Sequence, residues 1–372
     1  MNEDPIIFRV VIDINVNLRY LPLKLLGLVG FKYSFNDLNQ PNHITMRKLL
    51  LGVFGLLAFS AVAQEETEET KKFTLGGSVD AYYRTQLSSS DTTPQSLTSF
   101  ADQTGFAVGM ANIIASYESS NGKVGAVADL VFGPRGDDAT TLDNVNQLYA
   151  YWNVSESTTL TLGRFNTYLG YEVISPVGNF NYSTSYLFTN GPFSHVGVKA
   201  DFALSEDFSA MLAVMNPTDV NENLTGDYAL GGQLGYKGQY LNLYYDSGVV
   251  LGFEIDYTGG FDVTDTFFLG INAAYQTNDD AGFYGAALYP QVSLTDSFGL
   301  GLRGEYFALH GDGDDLPSVT AFTLTGSYSL DNLTIKPEIR LDSFSELEPF
   351  LDSDGMASDN LSAFVIAAIY QF

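Results

Sequence analysis

From Phe73 to the end, the chain runs in segments of roughly 10 residues whose apolar and polar positions alternate with period two. The clearest segment is Leu333 to Asp342. Leu333, Ile335, Pro337, Ile339 and Leu341 take one face, and Lys336, Glu338, Arg340 and Asp342 take the other. Leu251, Phe253, Ile255 and Tyr257 alternate in the same way with Glu254 and Asp256, and Val79, Ala81 and Tyr83 with Asp80, Tyr82 and Arg84. One face of each segment suits lipid and the other suits water, and a slip of one residue would put charge into hydrocarbon, so the register is strongly specified.

Short turns of similar chemistry recur between segments: VSEST near 154, LSEDF near 204, VTDTF near 263, LTDSF near 294 and SLDNL near 329. Longer, Asp-rich connections fall between them. The pattern predicts a transmembrane antiparallel β-barrel of about sixteen strands with short turns on one side and long loops on the other. An even count puts both termini on the periplasmic side. The expected exception is the region of Gly248, which joins two strands where a long loop should stand. Tyr149, Tyr151, Tyr168, Tyr257, Tyr275, Tyr306 and Tyr328 lie near strand ends and suit two aromatic girdles at the lipid interfaces. The last segment carries Phe364, Ile366, Ala368, Tyr370 and Phe372 on one face. An aromatic end such as Tyr370 and Phe372 resembles the terminal strand that the outer-membrane insertion machinery recognises.

No stretch after Gln64 is apolar for long enough to cross a membrane as a helix. The apolar run Leu49 to Phe59 follows Met46, Arg47 and Lys48 and precedes Ala61-Val62-Ala63, the order of regions in a secretory signal peptide. Cleavage between Ala63 and Gln64 divides the chain into an extension, 1–45, that reads as a mis-assigned start or a disordered segment, a signal peptide, 46–63, an acidic periplasmic tail, 64–72, and the barrel, 73–372.

Composition sharpens this picture. The 372 residues contain 44 acidic and 17 basic side chains, a net charge of −27, and no cysteine. Disulfide scaffolds, thiolate metal sites and cysteine nucleophiles are excluded. Nucleic acid is disfavoured as a partner, because the surface would repel phosphate. With the register above, the inward charges are Asp80, Asp129, Asp201, Asp246, Glu254, Asp256, Glu305, Glu338 and Asp342 against Arg84, Lys199, Arg303, Lys336 and Arg340. Arg164 shares a face with Leu160 and Leu162, which a bulge or a rim position would explain. The outer loops are acidic with a single base, Arg135, so both mouth and lumen favour cations; acidic solvated loops also serve solubility. Asp312-Gly313-Asp314-Asp315 and Asp352-Ser353-Asp354-Gly355 lack the spacing of an EF-hand, and no metal or cofactor is expected. After Gln64 only His195 and His310 offer a neutral-pH base, and neither accompanies a nucleophile motif.

The longest connection, Leu169 to Pro192, spans 192 − 169 + 1 = 24 residues with Glu172 as its only charge. Val173, Ile174, Phe180, Tyr182, Tyr186, Leu187 and Phe188 gain little in water, so the loop is expected to fold inward and narrow the lumen. The same apolar surface would suit an exposed contact between protomers of a homo-oligomer or with another envelope protein.

At GRFNTYLGYEVISPVGNFNYSTSYLFTNGPFSHVGVKA, Gly163 to Ala200, the chain resembles the OmpL-like β-barrel porins. The positions that carry the likeness are Gly163, Arg164, Phe165, Gly191, Pro192, Phe193, His195, Gly197 and Val198. The resemblance implies an outer-membrane protein of a Gram-negative-type bacterium that touches lipid, passes ions and small hydrophilic solutes, and has no catalytic residues. The alternatives are a closed barrel acting as surface receptor or anchor, and an outer-membrane hydrolase.

Overall fold

A computed structural model describes residues 72–88, 97–142, 144–313 and 315–372. The extension, the signal segment with Ala61, Ala63 and Gln64, and all of the acidic tail except Lys72 lie outside the described residues. Fifteen long strands follow in order: β1 (Lys72–Gln86), β2 (Gly105–Glu118), β3 (Val124–Phe132), β4 (Val145–Ser155), β5 (Thr158–Asn166), β6 (Ser194–Ala203), β7 (Phe208–Met215), β8 (Ala229–Tyr236), β9 (Gln239–Tyr245), β10 (Phe253–Thr264), β11 (Phe267–Asn278), β12 (Ala281–Thr295), β13 (Phe298–His310), β14 (Ser318–Leu330) and β15 (Leu333–Ser345). A small hairpin, β16 (Phe350–Leu351) with β17 (Ala357–Ser358), precedes the last strand, β18 (Asn360–Gln371). Two short helices, α1 (Pro134–Ala139) and α2 (Tyr186–Asn190), sit in the long connections after β3 and β5.

Among the described residues, sixteen strands, β1 to β15 and β18, close into one antiparallel barrel with β18 between β15 and β1. Closure satisfies every strand edge, which lipid requires. The chain end completes the seam, because Gly77 and Phe372 exchange backbone hydrogen bonds of 3.0 Å in both directions. Along β15, Glu338 pairs with Val365, Arg340 with Ala363 and Asp342 with Leu361. Those charges are buried, whereas Ile339 and Leu341 between them are exposed on the outer face. The period-two pattern thus survives as an apolar outside and a polar inside.

The repeated turn motif has a local cause. In VSEST, VTDTF and LTDSF the hydroxyl of Ser155, Thr264 or Thr295 accepts the N–H two residues on, at 3.3 Å each, and tightens a two-residue turn. Two expectations need correction. The break in loop alternation falls at Asp279-Asp280, where β11 turns directly into β12 on the long-loop side, and Asp279 adopts φ 53°. The Gly248 segment is a true loop of 252 − 246 + 1 = 7 residues that looks short because it winds around Asp246. That carboxylate accepts the N–H groups of Gly248, Val249, Val250, Leu251 and Gly252 at 2.8–3.2 Å. The girdle assignment also divides. Tyr275, Tyr306 and Tyr328 are exposed outward. Tyr149 and Tyr151 instead share the inner face of β4 with Gln147, while Leu148 and Trp152 take the outer face, and the Tyr168 hydroxyl donates to Leu243 O inside the wall.

Candidate functional site

The barrel interior brings together wall charges from several strands and the connection 167–193. The charges placed inward by the alternation on β1, β3, β6, β10, β13 and β15 all fall on the inner face of the register. Most are buried, and many are engaged by the long connection rather than by one another.

The connection crosses the interior stepwise. Gly170 N–H donates to Asp256 Oδ1 (3.1 Å), whose carboxylate also accepts from Asn242 and Asn272 at 2.6 Å each. Tyr171 stacks on Tyr289 with ring centroids 4.3 Å apart. Glu172 meets Arg303 at 2.6 Å, both side chains almost fully enclosed. The Lys336 ammonium donates to Asn179 O (2.5 Å) and Pro176 O (3.1 Å).

Three glutamates then hold the backbone before and within α2. Glu338 accepts Tyr182 N–H (2.8 Å) and Ser183 N–H (3.2 Å), Glu172 accepts Ser185 N–H (2.8 Å), and Glu305 accepts Tyr186 N–H (3.0 Å) and Leu187 N–H (2.8 Å). The opposite charges hold the carbonyls. Arg303 donates to Ser183 O (2.6 Å) and Thr184 O (3.2 Å), and Arg340 to Thr184 O (2.7 Å) while pairing with Asp342 (2.8 Å). Charge-assisted hydrogen bonds to main-chain groups are the strong kind, and a buried setting strengthens them.

Aromatic side chains reach back to the wall. The Tyr182 hydroxyl donates to Asp80 (2.5 Å) and that of Tyr186 to Asp342 (2.9 Å). Burial, reinforced by those carboxylates, pushes both loop phenols above their ordinary range, so they stay protonated and keep donating. Phe180 lies against Gly299 and Gly301 of β13, where a Cβ on Gly301 would come within 2.4 Å of its ring.

The remaining positions divide by environment. Asp129 accepts amides from Asn112, Asn146 (2.7 Å) and Gln147 (3.1 Å) on neighbouring strands. Lys199 and Asp201 pair at 2.7 Å and stay partly exposed. Arg84 and Glu254 are buried on the inner face. Asp246 serves its own loop, as described. Tyr370 is exposed on the outer face of β18, and Phe372 at the exposed chain end.

Arg164 has the outward register of Leu162 and Leu148 but is buried at the rim, donating to Asn146 O (3.1 Å) and to Asn221 in the connection after β7. Arg135 of α1 was read only as a loop base. It donates to Ile174 O (2.8 Å) and lies over the rings of Phe100 (4.4 Å) and Tyr182 (5.3 Å), tying three connections together. The one sequence signal for that role is its solitude: a single cation among acidic loops.

A closed, even-stranded antiparallel barrel with an apolar outer face and a charged interior is an outer-membrane porin-type barrel. The family model described as "Putative beta-barrel porin-2, OmpL-like" matches residues 72–372, and the chain belongs to that family. The resemblance at Gly163 to Ala200 therefore holds at the level of family, and the protein is an outer-membrane porin. None of the curated proteins matches the chain in sequence. Among solved structures the chain is similar to Salmonella typhi OmpF in complex with daunomycin, with TM-score 0.54, 12% identity, and coverage of 83% of this chain and 100% of that one. It is also similar to the trimer form of Vibrio cholerae OmpT, with TM-score 0.49, 11% identity and coverage of 82% and 100%. At such identities the likeness concerns the fold alone.

Proposed function

We propose that this porin passes ions and small hydrophilic solutes, prefers cations, and has its lumen narrowed by the loop 169–192. The observation that carries the proposal is the set of main-chain hydrogen bonds from 182–187 to Glu305 and Glu338 of the wall, with Glu172 of the loop paired to Arg303. They supply a reason for an apolar segment to stay inside an otherwise polar barrel. Acids exceed bases both on the inner face and in the outer connections, so the field at the mouth attracts cations.

Deleting Asn179 to Thr189 is expected to raise single-channel conductance in planar bilayers while heat-modifiable gel mobility shows an intact barrel. Unchanged conductance in the folded variant would reject the narrowing role.

A second reading, a closed barrel serving as receptor or anchor, is favoured by one observation. Inner side chains such as Asn112, Asp129, Asn242, Asn272, Arg303 and Glu338 are all buried. Conductance decides between the readings. A catalytic role draws no support from the histidines. His195 is enclosed, with Nε2 3.0 Å from the Thr167 hydroxyl, and His310 Nε2 lies 2.8 Å from Gln276 O.

We propose further that Tyr370 and Phe372 form the signal read by the insertion machinery, that translation starts at Met46 with 46–63 removed on secretion, and that the protein forms a homo-oligomer.

A further inference from the structure

We infer that the periplasmic half of the lumen holds a binding subsite for a small neutral carbohydrate. A cavity of about 560 Å³ opens there between the loop tip at 177–180 and the inner faces of β12, β14, β15 and β18. That size lies within the roughly 300–1,000 Å³ of small-molecule sites. The inference deepens the porin reading by naming a solute class, and it rests on that reading only for the solute's route.

Three features of the lining select the ligand. First, Ser327, Ser329, Thr334 and Gln371 converge on the cavity from three strands, and their side chains make no hydrogen bond to another described residue. Hydroxyls and an amide both donate and accept, which matches a ligand whose own groups are hydroxyls. Second, an aromatic ring borders the space. Phe180 rests on the glycine-flattened wall of β13. The C–H face of a pyranose carries slight positive charge and settles on the negative face of a ring.

Third, the charges that would favour an ion are few or already engaged. The cationic group on the lining is Lys336, whose ammonium is held by two loop carbonyls, and the carboxylate is Asp331, exposed in the β14–β15 turn. A charged solute would gain no free counter-charge at the centre of the site. A neutral polyol loses nothing by that and gains the hydrogen bonds. Aliphatic solutes would leave four polar side chains unmatched on entry.

The test uses maltotriose and protein purified from outer membranes in detergent. Calorimetric titration is expected to show saturable heat. Phe180→Ala, and separately Ser327→Ala with Thr334→Val, should each weaken binding at least tenfold with heat-modifiable mobility unchanged. Glucuronate, an anionic sugar, should bind more weakly than maltose. Absence of saturable heat with folded protein, or undiminished binding in both variants, would overturn the subsite. In bilayers, maltotriose added on the periplasmic side should reduce the open-channel current. Saturable heat without any conductance would support the subsite and overturn the porin route, whereas conductance without heat or block would overturn the subsite alone.

Discussion

Replacing Arg303 by Met removes the guanidinium that joins Glu172, Ser183 and Thr184 of the loop to the wall and keeps most of the stem volume. Arg303 is fully buried and donates to Glu172 (2.6 Å), Ser183 O (2.6 Å), Thr184 O (3.2 Å) and Thr323 (3.1 Å). In the variant the Glu172 carboxylate keeps only Ser185 N–H among these contacts, and Ser183 O loses its donor. Removing one partner of a buried ion pair costs about 3–5 kcal/mol. If that cost falls on docking of the loop, exchange of the amides at Tyr182, Ser183, Ser185, Tyr186 and Leu187 should accelerate roughly 150- to 5,000-fold when reclosing is fast. Amides of the β14–β15 ladder should keep their protection. Adding Glu172→Gln should recover part of the loss, because no charge is then buried alone. Hydrogen exchange by mass spectrometry reads both of these variants and Glu172→Gln alone. Unchanged loop exchange in Arg303→Met, or simple additivity in the double variant, would refute the anchoring argument.

Gly163 has φ 139°, and a Cβ there would sit 2.3 Å from Leu148 O, so Gly163→Ala should abolish the heat-modifiable band. Gly170→Ala, at φ 84° in open space, should fold with a loss of about 1 kcal/mol, read by denaturant unfolding. The reversal potential under a salt gradient should show cation preference that declines from 0.1 M to 1 M salt, as the screening length falls from about 10 Å to about 3 Å; anion preference would overturn the electrostatic reading. Mass spectrometry of the envelope protein should find Gln64 at its N-terminus, and peptides from 1–45 would overturn that cleavage.

Barrel, strand count and inner charges were readable because each depends on alternation within ten or so residues, as in Leu333 to Asp342. The charge-poor, aromatic composition of 169–192 likewise announced burial before any partner was known. What stayed hidden depends on partners distant in the chain. Arg164 violates its strand's pattern because the cover over it comes from Asn221 and Thr141. The role of Arg135 requires Phe100 and Ile174 to arrive from other connections. Asp246 was misread as a lumen charge for a local reason: a carboxylate that faces inward by parity can still be captured by five amides of the turn that follows. Tyr149 and Tyr151 were readable in principle, since Leu148 and Trp152 already mark the opposite face.

The wall grips the loop by its main chain. Glu305 and Glu338 take N–H groups, and Arg303, Arg340 and Lys336 take carbonyls, whatever side chains those residues carry. Fastening is therefore separable from the surface the loop presents to water, where Val173 and Val177 are 42% and 38% exposed. Substitution at those two positions can change polarity or charge facing the lumen without loosening an anchor. On the proposed narrowing role, the same frame could be retuned from one solute to another by changes at single positions, an exchangeable filter held in a permanent mount.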